Sequence, residues 1–160
     1  MIRVWKTQIS VRRSFFLLTL VLSLISCSKG NVKLTEDATR VRGIDLVVEE
    51  IRKSYLQRDE TAMFTHIFLK GPGETKVLEK RLHDAFIKLR PVGLEFYLEK
   101  IILEGEGAKV YLHWEGEWRD LERQVPLLQK GDVIFSLDGG REPRLVEIQG
   151  DSPFDVSQGR

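Results

Sequence analysis

The chain lacks nearly every feature that announces a chemistry. One cysteine occurs in 160 residues, so no disulfide within the chain and no thiolate metal site can form. Its histidines number three, His66, His83 and His113, and none stands in an HxH or HxxxH pair that would suit a metal. Basic and acidic residues nearly cancel, 25 against 24, which gives nucleic-acid binding no support. No Ser sits in a G-x-S-x-G elbow, and Gly71-Pro72-Gly73 is a turn rather than a phosphate loop. Internal repeats and low-complexity tracts are absent too. An apolar run does occur, Phe15 to Ile25, but as a helix it would rise about 16 Å, roughly half of a hydrocarbon core of about 30 Å.

What is present begins at that run. Residues 1–14 carry Arg3, Lys6, Arg12 and Arg13 and no acidic residue. A basic stretch ahead of a short apolar one is the secretory signal pattern. The lone Cys27 stands directly behind it, in Leu24-Ile25-Ser26-Cys27.

That tetrapeptide resembles the lipobox of bacterial lipoproteins. The resemblance implies a diacylglyceryl group on the Cys27 thiol, cleavage of the signal (residues 1–26) and acylation of the new N-terminus. One lipid chain anchors a protein marginally and two or three anchor it stably. Ser28 follows the cysteine where inner-membrane retention would want Asp. By resemblance to enterobacterial sorting, the protein would be lipid-anchored in the outer membrane of a bacterial envelope, facing the periplasm. The alternative for this segment is an uncleaved signal anchor with Cys27 unmodified.

Without residues 1–27 the chain keeps 133 residues, with 21 basic and 24 acidic, a net charge of −3. That is one domain's length, enough to bury roughly two thirds of its unfolded surface. With Cys27 acylated, its stability would rest on packing alone.

Residues 27–42 are polar and without apolar period, and are expected to form a flexible tether. A helix is expected next, with Ile44, Val47, Val48, Ile51 and Tyr55 on one face. Asp59 or Thr61 would cap a short second helix reaching Ile67, and Thr75 a third, with Leu78, Leu82, Ala85, Phe86 and Leu89 buried and Pro91 and Gly93 ending it. The period then changes to two. Residues 94–104 and 108–118 read as a hairpin around Gly105-Glu106-Gly107, with Val110, Leu112, Trp114 and Trp118 on one face and Tyr111, His113, Glu115 and Glu117 on the other. Val125–Gln129 is less regular, Asp132–Leu137 and Pro143–Gln149 complete the strands, and residues 152–160 look like an irregular tail.

Three N-terminal helices before about four antiparallel strands predict an α+β domain whose curved sheet wraps its apolar face around the helices. Together with the helix ending "YLQRDETAM" and the closing hairpin "GDVIFSLDGGREPRLVEIQGD", this resembles the nuclear-transport-factor-2-like (NTF2-like, cystatin-like) superfamily over about residues 43–151. The pattern departs from the family in one place: Phe68 to Thr75 leaves little room for the hairpin that members commonly insert between the second and third helices. A helix-on-sheet sandwich without a cone is the competing architecture.

The resemblance implies a cone, lined here by Phe96, Val110, Leu112, Trp114, Trp118 and Phe135. Those residue types suit plain core or a small apolar cavity. His113 beside Glu115 would suit acid–base work or a metal, but its phase turns it away from the apolar face. No catalytic residue, cofactor or metal is therefore expected. The expected function is a non-catalytic binding or interaction module, held to the membrane through lipid on Cys27, that meets an envelope protein or a small apolar ligand. The alternative is a periplasmic enzyme with its site in the cone.

Overall fold

Thr35 opens the first helix. Its hydroxyl accepts a hydrogen bond from the amide of Ala38 at 3.3 Å, and Glu36 and Asp37 place negative charge in the first turn. The computed structural model describes residues 35–139 and 142–156; Cys27 and the lipobox lie outside the described residues. Helix α1 (Glu36–Gln57) ends on Arg58 in the left-handed region. Residues 36–42, expected as tether, are thus its first turns. The cause is tertiary: the guanidinium of Arg40 donates to the carbonyls of Gly105 and Glu106, at 2.8 Å each, and ties these polar turns to the tip of the first hairpin.

The short helix α2 (Glu60–Thr65) is capped by Asp59, whose carboxylate accepts from the amide of Ala62 at 2.9 Å. It stops before Ile67. Helix α3 (Glu74–Lys88) starts from Gly73 rather than Thr75. The Thr75 hydroxyl accepts instead from the amide of Leu69 at 2.9 Å and folds the connecting turn.

Strands β1 (Leu89–Glu104), β2 (Gly107–Asp120), β3 (Pro126–Leu137) and β4 (Leu145–Gly150) form one antiparallel sheet in that order. Pro91 and Gly93 do not end α3 as expected; they lie inside β1, which begins directly at Leu89. Proline is tolerated there because β1 is an edge strand and a bulge separates Pro91 from Gly93. Pairing to β2 likewise extends β3 back to Pro126, through the stretch that reads as irregular. The fold class is the expected one, three helices on a four-stranded antiparallel open sheet.

Residues 66–70 run beside β4. Leu145 donates to the carbonyl of His66 at 2.8 Å, while the amides of Phe68 and Lys70 donate to Leu145 and Val146 at 2.8 and 3.1 Å. This parallel bridge pairs the strip with Leu145 and Val146, the first two residues of β4 at the second edge of the sheet.

The tail has no regular structure over residues 151–156, yet it enters the core. Gly150 takes φ 92, where a side chain would be strained and a Cβ would stand 2.6 Å from the carbonyl of Asp132. The chain reverses there, and Phe154 and Val156 enter the core, Phe154 with 1% of its surface exposed. No helix among the described residues is long and apolar enough to cross a membrane.

Candidate functional site

The space that would hold a ligand lies between the helices and the concave face of the sheet. Trp114, Gly116 and Trp118 all point inward from β2, and the sequence WEGEW explains how two indoles fit on one strand. The Trp118 ring lies over Gly116, where a Cβ would stand 2.1 Å from it. The two indoles meet edge to face, with centroids 6.2 Å apart. Each finds an acceptor: Trp118 Nε1 donates to the Tyr55 hydroxyl and Trp114 Nε1 to the carbonyl of Asp151, both at 2.7 Å.

Around Tyr55 the interior is solid. Phe86 and Phe154 pack against its ring at 5.3 and 5.4 Å, and Phe135 stacks on Phe154 at 6.0 Å. Burial pushes the Tyr55 phenol well above its ordinary range, partly offset by the indole N–H it accepts. No buried side-chain polar atom among the described residues lacks a partner.

The six residues expected to line a cavity therefore divide. Phe96, Val110 and Leu112 border a cavity of about 70 Å³ between α1 and the sheet. Trp114, Trp118 and Phe135 are core side chains, exposed by 3% or less. A 70 Å³ space holds a water or two, less than the about 150 Å³ that admits a benzene-sized guest. Asp45 and Glu49 stand at its mouth. Glu49 is held by Arg52 through hydrogen bonds of 2.7 Å, which lower its carboxyl below the usual range. That is the opposite of the tuning that makes a carboxylate a proton donor near neutrality.

The histidines lie elsewhere. His113 points outward, as its phase predicts. Its Nδ1 meets Asp132 at 2.8 Å, Nε2 stands 3.8 Å from Glu115, and the ring leans on Tyr97. Register, not sequence spacing, brings Asp132 opposite His113, so the sequence offers Glu115 as the partner and misses the closer one. His83 meets Glu60 at 3.2 Å on the exposed side of α3, and His66 closes α2. Among the described residues no three His, Cys, Asp or Glu side chains group as metal ligands. Sequence reading also missed the tail residue Phe154 and the Tyr55 hydroxyl as the interior's polar hub. A glycine two residues from each of two in-phase tryptophans was the signal for the ring-over-glycine packing.

No protein-family model and no curated protein matches the chain. Solved structures do resemble it in shape. A ketosteroid isomerase-like protein from Erwinia carotovora atroseptica SCRI1043 superposes with a TM-score of 0.59 at 14% identity, over 75% of this chain and all of that one. The intermembrane space region of the chloroplast protein ARC6 gives 0.52 at 10% identity, over 68% and 94%. An NTF2-like protein of unknown function from Shewanella oneidensis MR-1 gives 0.47 at 16%, over 66% and 92%. At such identities the likeness concerns the fold alone.

Proposed function

We propose that the chain is a lipid-anchored protein of the bacterial envelope whose NTF2-like domain is a non-catalytic interaction module. One observation carries the non-catalytic half. The interior is closed by aromatic rings whose polar atoms are all partnered, so the aromatic core itself offers a substrate no free polar group. The anchoring half is supported by the basic stretch, the apolar run and Cys27 in sequence. The second reading, a periplasmic enzyme, takes its support from the cavity at Phe96, Val110 and Leu112 with two carboxylates at its mouth.

The anchor is tested by expressing the full chain in a diderm bacterium and taking the intact mass of the membrane-extracted protein. A mass of residues 27–160 plus diacylglyceryl and one fatty acid is expected, and a Cys27→Ala variant should show neither lipid nor processing. An unmodified mass of the whole chain would sink the anchor. For the domain, a small apolar ligand that raises the melting temperature without being changed stays within the non-catalytic reading, whereas turnover of such a molecule, lost in Asp45→Asn/Glu49→Gln, would replace it with the enzyme reading.

A further inference from the structure

Four aromatic rings meet at the centre of the interior, and three of them stand on regular structure. Tyr55 belongs to α1, Phe86 to α3 and Phe135 to β3. Phe154 comes from a strap, residues 151–156, that is neither helix nor strand. At Asp151 the strap is still tied: its amide donates to the carbonyl of Asp132 at 2.9 Å, and its carbonyl accepts from Trp114 Nε1. Beyond Asp151, no backbone hydrogen bond among the described residues joins the strap to a helix or strand. The amides of Phe154 and Asp155 donate to Ser152 within the strap, at 3.3 and 3.2 Å.

Side chains do the holding. Pro153, Phe154 and Val156 are buried, while Asp151 and Asp155 stay exposed. The Phe154 ring lies nearly parallel to Phe135, at 15°, and tilted by 55° against Tyr55. At the rim Arg81 of α3 reaches Asp155 at 3.4 Å, with both side chains exposed, so this pair adds little. The strap therefore has the make-up of a bound peptide, with apolar anchors in a seat, one charged contact at the rim and a pivot at Gly150. A segment held in this way opens at lower free energy than the helices and ladders around it.

We infer that the strap is a built-in ligand, and that its seat docks a segment of another protein with the same chemistry, Pro-Phe followed by an acidic and then an aliphatic residue. The inference rests on the interaction-module reading and gives that module a partner of stated chemistry. The occupant is read from the chain itself, which shows what the seat accepts: a phenyl ring against Tyr55 and Phe135, and a carboxylate toward Arg81. A second copy gains no contact by exchanging straps, because each copy already has its own. A partner segment gains wherever it adds contacts beyond these four residues. Its apparent affinity is lowered by the fraction of molecules whose seat is closed. The strap sets a threshold that chance apolar segments do not pass.

The test titrates a fluorescein-labelled peptide, Asp-Ser-Pro-Phe-Asp-Val, into membrane-extracted full-length protein and reads fluorescence anisotropy. Phe154→Ala, whose own ring no longer fills the seat, should bind at least about tenfold more tightly than the unsubstituted chain. Exchanging the peptide's Phe for Ala should abolish binding, and Arg81→Glu in the Phe154→Ala background should weaken it about twofold. Melting curves establish that the variants are folded. Where Phe154→Ala does not fold, the chain labelled with 4-fluorophenylalanine at position 154 decides: excess peptide should move the fluorine resonance toward its position in the unfolded chain. Absent binding to the folded variant, binding that ignores the loss of the peptide's Phe, or a fluorine resonance left in place would overturn the inference. So would a dimer of the unsubstituted chain that Phe154→Ala abolishes, since the seat would then serve a second copy. Turnover lost in Asp45→Asn/Glu49→Gln would sink the interaction-module reading and leave peptide binding as it is, so the two fail separately.

Discussion

The two faces of one sheet differ more than their sequences suggest. On the concave face, Trp114, Trp118 and Phe135 are locked into a core where each indole N–H has a protein acceptor. On the convex face, Tyr97, His113 and Asp132 also make close contacts, yet Tyr97 is 51% exposed and the Asp132 side chain 79%. Similar distances therefore carry different free energies. A contact inside excludes solvent and leaves a cavity when broken, whereas one outside exchanges with water.

Trp118→Ala should break this contrast most severely. It empties the space over Gly116 and orphans the Tyr55 hydroxyl, and a loss of about 3–5 kcal/mol is expected in urea unfolding. Gly116→Ala should follow, at about 1–3 kcal/mol, because its methyl group meets an indole that cannot move away. A loss below about 0.5 kcal/mol in either case would mean that the interior is looser than its ring contacts imply.

Tyr55 sharpens the comparison through pH. Its phenol is raised in the folded state, so the stability it contributes is complete below the unfolded value of about 10 and falls as pH rises past it. Base-induced unfolding should therefore set in above about pH 10, and Tyr55→Phe should flatten that limb. The Phe variant would also cost about 1–3 kcal/mol at neutral pH, since the Trp118 N–H loses its acceptor. An unchanged alkaline limb would place the phenol in contact with water. The smallest effect belongs outside: His113→Gln should shift stability by less than about 1 kcal/mol, and less still at high salt.

The same contrast explains which parts of the molecule can be read from residue order. Alternation in residues 108–118 placed Val110, Leu112, Trp114 and Trp118 inward correctly, because one side meets core and the other water, while buried Asp120 at the end of β2 read as a polar connection. Pro91 misled because a local helix-stop rule competes with edge-strand tolerance, which only the neighbouring β2 reveals. Phe154 misled for a related reason: an isolated aromatic in a polar tail becomes core only because the chain reverses at Gly150. The candidate lining was half readable. Face follows from period, but depth in the cone depends on which helix and tail residues fill it, and Tyr55, Phe86 and Phe154 come from three distant stretches.

The strip at residues 66–70 has a consequence for how copies meet at high concentration. An open sheet has two raw borders, and each is a template on which a foreign strand can grow. Here the start of one border, at Leu145 and Val146, is occupied by the chain's own backbone. The other is interrupted by two bulges and Pro91, and the Leu94 carbonyl is taken by Arg52. A foreign strand would thus find only short, interrupted stretches of free ladder, which makes edge-to-edge growth harder.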